Sequence, residues 1–249
     1  FGEESRRDGV DVQPDDIYAY YDHNGKLPTT SATTPADYME FFSRKAKEGD
    51  AVIHFNISSG FSAAYNNACL AAKKFSNVYV VDSKNLSTGT ALLMLRACDL
   101  AKEGVAAAKI AEEMERLRDK VRASFIIDKL EYLWKGGRCS GVTALGANLL
   151  RLKPCIEVED GNMKVGKKFR GKLGDVLEEY VENRLKGRAD LALDRIFITH
   201  AGIAQEHIDR VRRKVEEFAD FGEILVTRAG CTISNHCGPN TLGILFITK

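Results

Sequence analysis

The sequence predicts an α/β protein made of two α/β domains, and three observations carry the prediction. Its 249 residues are enough for two cores of ordinary size. Through the first half, short apolar runs alternate with stretches of helical period, which implies parallel strands joined by right-handed crossovers. After residue 123 the pattern shifts and brings in a hairpin, so a boundary falls near Arg122, giving an N-terminal domain over residues 1–122 and a C-terminal domain over 123–249.

Pro14, Asp15 and Asp16 start a short helix over residues 13–23 that carries Tyr18, Tyr20 and Tyr21. A parallel sheet ordinarily opens with a strand, and none is visible here, so the opening strand is expected to be missing from this sequence. Residues 29–34, TTSATT, are a run of hydroxyls. Pro35 and Asp37 suit the first turn of a helix with Tyr38, Phe41 and Phe42 on its apolar face, and Thr34 is its natural N-cap. That cap leaves Thr30 and Ser31 without a structural task. Residues 51–57 read as a buried strand, 58–62 (SSGFS) as a hydroxyl-rich turn, and the following Ala, Asn and Leu as a helix. A strand over 78–81, a helix over 87–101 stopping at Gly104 and a charged helix over 106–121 complete this half.

In the second half, residues 124–127 suit a strand, and Leu130, Leu133 and Trp134 an apolar turn ahead of Gly136, Gly137 and Arg138. Residues 155–158 and 163–169 flank Asp160 and Gly161, the strongest hairpin signal in the chain. Helices over 174–186 and 204–218 alternate with strands over 196–199 and 224–227. A Gly and Pro turn holding Cys231, His236 and Cys237 leads into a last strand over 242–248.

Composition narrows the function. A formal net charge of +1, from 36 basic and 35 acidic side chains, gives no global field to attract nucleic acid or an anionic membrane. No apolar run approaches the roughly 20 residues that cross a bilayer, and the first residues lack the features of a signal peptide, so a cytoplasmic protein is expected. Six cysteines without a CxxC pair suit reduced thiols, and three adjacent ligands at Cys231, His236 and Cys237 make a weak metal signal, so no metal and no cofactor are expected.

The chemistry gathers at the two hydroxyl-bearing turns. The first amides of a helix lack intrahelical partners and carry the positive end of its dipole, so a turn such as 58–62 can hold a carboxylate or phosphate. Ser58, Ser59 and Ser62 either cap the helix or donate to such an anion, and Ser62 is the favoured ligand residue. A Ser with a His also invites a lipid hydrolase, but no Gly-x-Ser-x-Gly elbow surrounds Ser62. Arg138 and Arg170, with Lys167, Lys168 and Lys172, are either a solvated face or a docking site. His54 reads as a satisfied core side chain, and Trp134 and Phe61 as walls of a ligand slot or as plain core.

TTSATTP at residues 29–35, ISSGFSAAYNNA at 57–68, VVDS at 80–83, LEYLWKGGR at 130–138, LLRLKPCIEVEDG at 149–161, KKFRGK at 167–172 and NHCGPNTLG at 235–243 together resemble the motifs, in order, of the bacterial DegV family of fatty-acid-binding proteins. The resemblance covers nearly every residue from Leu27 onward. It implies the family's EDD fold, two α/β domains with a ligand tunnel between them, and a long-chain fatty acid whose carboxylate is held by Thr30, Ser62 and His236, with Ser31 and Ser59 as additional head-group contacts. It implies a non-catalytic lipid-binding subunit that presents the fatty acid to a separate fatty acid kinase of the dihydroxyacetone-kinase type, which makes acyl phosphate, with Arg138 and Arg170 docking that kinase. A carrier or sensor without a kinase partner is the alternative within the same family. The sequence departs from the family at Thr33 (usually Pro), at Ala63 and Ala64 (usually Gly-Thr) and at Asn240 (usually Gly).

Overall fold

The computed structural model describes residues 1–138 and 152–249, so Cys139 and the first three residues of the motif at 149–161 lie outside the described residues. In chain order the elements are α1 (Pro14–Asn24), α2 (Pro35–Lys45), β1 (Val52–Asn56), α3 (Ala64–Ala72), β2 (Val78–Asp82), α4 (Ser87–Lys102), α5 (Ala107–Leu117), β3 (Val121–Ile126) and α6 (Leu130–Gly136). Then follow β4 (Leu152–Glu159), β5 (Asn162–Arg170), α7 (Leu173–Leu185), β6 (Leu191–His200), α8 (Gln205–Phe218), β7 (Glu223–Arg228), α9 (Cys231–Cys237) and β8 (Leu242–Thr248). The fold is mixed α/β.

By packing, the chain divides into two compact units. One comprises Ser31–Val121 with Glu159–Asn162; the other comprises Phe1–Thr30, Arg122–Val158 and Met163–Lys249. These differ from a single cut at Arg122, because residues 1–30 and 159–162 each pack with the unit that the sequence order assigns to the other side. The reason is local. Val12 and Ile17 of the N-terminal segment are buried in a cluster with Cys231 of α9, and Ser58 Oγ donates to Gly161 O at 2.7 Å at the hairpin tip.

In the first unit β1 and β2 run parallel, in register from Val52↔Val78 to Asn56↔Asp82, with α3 as the crossover. Tyr38 and Phe42 of α2 bury against Ala68 and Ala71 of α3. Complete burial of a side chain like Phe42 contributes about 1.5–3 kcal/mol. The entry to α2 is a capping box: Thr34 Oγ1 accepts from Asp37 N at 3.2 Å while Thr34 N donates to the Asp37 carboxylate at 3.1 Å.

The second unit is built on a six-stranded mixed sheet in the order β5-β4-β3-β8-β6-β7. β6 is parallel to β7 across the α8 crossover and antiparallel to β8. Leu177, Tyr180 and Val181 of α7 and Val211 and Val215 of α8 fill its main core. The fully buried Tyr180 hydroxyl donates to Ser124 O at 2.7 Å and accepts from Ile244 N at 3.0 Å, so the polar end of a large core side chain is satisfied by two neighbouring strands. In the hairpin joining β4 to β5, Asp160 and Gly161 both take positive φ (49° and 78°), the requirement of a type I′ turn.

Three local readings of the sequence are corrected. The apolar segment after β3 is a helix, α6, with Leu130, Leu133 and Trp134 at helical spacing and Gly137 ending it at φ 65°. The segment before the last strand is not only a turn but the short helix α9. Its first amides are taken by a remote side chain: Cys231 N and Thr232 N each donate to the Asp8 carboxylate at 2.8 Å. β6 begins at Leu191, earlier than the apolar run suggests, because its register against β8 shifts between Leu191 and Ile196 and leaves Leu193 and Asp194 exposed.

Candidate functional site

Thr30 and His236 come together. Thr30 lies in the irregular segment between α1 and α2, and His236 in the last turn of α9. Their Oγ1 and Nε2 atoms are 3.0 Å apart, although 206 positions separate them in sequence. The segment carrying Thr30 is tied down by the neighbour of that histidine, since Asn235 Nδ2 donates to Pro28 O at 3.0 Å. Both site residues are half-buried. Burial pushes the His236 imidazole down to about 4, and the positive charge of Arg138 adds to this, so the ring is neutral near pH 7. Among the described residues its Nδ1 has no hydrogen-bond partner. A catalytic serine would need a base oriented by an acid on that nitrogen, which here faces Gly136 instead.

The serine turn belongs to the other unit, and its three hydroxyls do different things. Ser58, fully buried, donates to Gly161 O and accepts from Gly60 N at 3.1 Å. Ser59 donates to the Asp82 carboxylate at 2.6 Å. Its one hydroxyl hydrogen is therefore spent, and the adjacent anion disfavours a second carboxylate there. Ser62, one residue ahead of the N-cap Ala63, accepts from Ala64 N, the first amide of α3, at 3.2 Å. That bond uses an oxygen lone pair and leaves the hydroxyl hydrogen to donate elsewhere. Holding a helix amide and donating to a ligand, posed as alternatives by the sequence, are thus compatible at Ser62, while the Ser59 hydrogen is engaged by Asp82. Ser31 is exposed.

The departures at Ala63, Ala64 and Asn240 find local explanations, and the one at Thr33 has none in the structure. Ala63 sits at φ −70°, where no glycine is required, and Ala64 is buried. Thr33 O accepts from Asn67 Nδ2 at 2.8 Å. Asn240 takes φ 62°, a conformation that asparagine tolerates better than most residues, and its side chain donates to Asp128 at 3.0 Å.

Arg138 follows α6 and donates to Gly136 O at 2.8 Å, while Arg170 ends β5; both are exposed. Lys167 pairs with Glu179 at 2.9 Å. Trp134 is 58% exposed, so it is not core. His54 is not satisfied: its ring packs edge-on against Tyr38 and Phe42, and its buried Nε2 has no hydrogen-bond partner among the described residues. Among the described residues, no three His, Cys, Asp or Glu side chains are grouped to hold a metal, and no helix is long and apolar enough to cross a membrane. Cys231 instead donates through Sγ to Val12 O.

Sequence reasoning missed Asp8, Asn235 and Gly136 as supports of this site. Asp8 had no local signal at all, since the helix it caps begins 223 positions away.

The family described as "Uncharacterised protein, DegV family" matches residues 1–249. This chain belongs to the DegV family. A DegV domain-containing protein of Clostridium acetobutylicum is 30% identical over 246 residues, spanning 97% of this chain and 86% of the relative. Among solved structures, a DegV family protein from Thermus thermophilus, described for its fatty acid binding, superposes with a TM-score of 0.88 at 29% identity and covers 98% of this chain and 87% of its own. A stearic acid-binding protein from Eubacterium ventriosum superposes at 0.81 with 26% identity, covering 100% and 88%. The DegV structures confirm the mixed α/β fold expected from the sequence.

Proposed function

We propose that this DegV chain binds a long-chain fatty acid and holds its carboxylate through the hydroxyls of Thr30 and Ser62, with His236 positioned behind Thr30. The observation that carries this reading is the bond between Thr30 and His236, a half-buried hydroxyl and a neutral imidazole brought together from distant parts of the chain. The fatty acids bound by the relatives from Thermus thermophilus and Eubacterium ventriosum support the choice of ligand. Burying about a dozen methylenes at ~0.8 kcal/mol each contributes on the order of 10 kcal/mol before the costs of association. Each hydroxyl adds about 1.5–3 kcal/mol toward a charged head group. The tail therefore supplies most of the affinity and the hydroxyls fix where the carboxylate lies.

A carboxylate held only by hydroxyls stays nucleophilic toward a phosphoryl donor. The sequence has no glycine-rich phosphate loop followed by Lys, so the donor site is assigned to a partner, a fatty acid kinase that forms the acyl phosphate. In this reading the chain is a carrier and not an enzyme, and the exposed Arg138 and Arg170 steer the kinase. The test is the mass of what co-purifies with the chain, followed by stearate binding to Ser62→Ala and Thr30→Ala variants. A long-chain fatty acid and weakened binding are expected. An unloaded protein that binds no stearate would defeat the reading. Charge reversal at Arg138 and Arg170 is expected to impair kinase turnover and spare stearate binding; the opposite pattern would remove the docking role.

A further inference from the structure

Gly136 is the last residue of α6 and is buried. It does not take the left-handed backbone that Gly137 takes, so its backbone conformation does not require a glycine. In an ordinary helix an alanine would be preferred at such a position. What requires the glycine is space. A Cβ built at Gly136 would stand 2.3 Å from His236 Nδ1 and 3.2 Å from its Cγ. The edge of the imidazole thus occupies the volume where a side chain would be.

The same contact decides which nitrogen carries the proton. The Gly136 carbonyl accepts from Arg138, and among the described residues His236 Nδ1 has no hydrogen-bond partner, that carbonyl included. A buried N–H without an acceptor is rarer in proteins than a buried acceptor without a donor. The neutral ring therefore keeps its hydrogen on Nε2, the atom that meets Thr30 Oγ1. With Nε2–H as donor, the Thr30 oxygen accepts and its own hydrogen is released to donate outward. In the opposite tautomer Thr30 would donate to the ring and have nothing to offer a carboxylate.

We propose that Gly136 is a positioning residue: its missing side chain admits the His236 ring and fixes the tautomer in which Nε2–H donates to Thr30, turning the Thr30 hydroxyl hydrogen toward the ligand. The inference rests on the carboxylate site proposed above, and its test separates the two. Side-chain nitrogen NMR of the full chain, free of lipid, is expected to show His236 protonated at Nε2 and bare at Nδ1. Gly136→Ala is expected to abolish that signature, and a ring displaced toward water should titrate closer to the ordinary histidine range. Stearate binding by Gly136→Ala should weaken tenfold to a hundredfold, as for His236→Ala, with no further loss in the double variant.

A proton on Nδ1 in the parent chain would overturn the proposal, as would unchanged His236 signals in Gly136→Ala. Should Gly136→Ala fold poorly, the double variant Gly136→Ala/His236→Ala removes the clash. Recovered melting behaviour there supports the proposal, and a double variant no more stable than the single one overturns it. A parent chain that binds no stearate defeats the carboxylate site, while the NMR result still decides the geometry.

Discussion

Two half-buried imidazoles, one in each compact unit, invite comparison. Burial pushes both His54 and His236 down to about 4, so their proton affinities are alike. Their surroundings are not. His54 stands on β1 among Tyr38, Phe41 and Phe42, and its buried Nε2 has no hydrogen-bond partner among the described residues. His236 meets the Thr30 hydroxyl, with Nε2 and Oγ1 3.0 Å apart. A depressed pKa therefore marks a ring withdrawn from water, and only the partner tells whether the ring takes part in recognition.

The largest effect expected from this pair is on acid stability. Each ring gains its proton below about 6.5 in the unfolded chain, but only below about 4 in the folded one. Stability present above pH 6.5 is then lost as pH falls through that window, by roughly 3 kcal/mol for each ring. Denaturant melts from pH 7 to pH 4 should show the loss, and His54→Phe should remove about half of it. A pH-independent midpoint would break the comparison on the side of burial.

Next in size is the contrast in ligand binding. His236→Ala is expected to cost stearate affinity about tenfold to a hundredfold, and His54→Phe nothing, as read by calorimetric titration. Equal losses would erase the distinction between the two rings. The serine turn sharpens the same point: Ser62→Ala should weaken stearate binding, while Ser58→Ala should lower the melting temperature and leave affinity alone, because its buried bond to Gly161 is structural.

A smaller effect belongs to Asp8. Asp8→Ala removes the acceptor for two α9 amides and should lower stability by about 1–2 kcal/mol, with a several-fold loss of stearate affinity through the slackened His236. The smallest is at Asn240. Glycine tolerates its positive φ, so Asn240→Gly loses only the bond to Asp128 and should change the unfolding free energy by less than about 1 kcal/mol.

These contrasts show what the sequence could reveal. Where structure is decided by near neighbours, it was legible: the Thr34 cap and the Asp160-Gly161 turn follow from adjacent residues, and the parallel pair β1 and β2 from a strand-helix-strand order along the chain. Where a distant group decides, it was not. α9 looks like a turn because its cap is Asp8, and His54 looks satisfied because nothing near it in sequence announces the lack of a partner. Thr30 and His236 were named through the resemblance to a family. The residues alone gave only a spare hydroxyl and an unremarkable histidine. Ser59 shows the same limit, since Asp82 accepts its hydrogen from across the parallel pair.

The way the chain shares itself between units has a practical result for anyone who wishes to produce one of them alone. The stretch from Ser31 to Val121 is inserted within its neighbour's sequence, so a gene cut once at Arg122 would sever Asp8 from the amides of Cys231 and Thr232 and Thr30 from His236. A faithful excision would instead keep residues 1–30 together with 122–249.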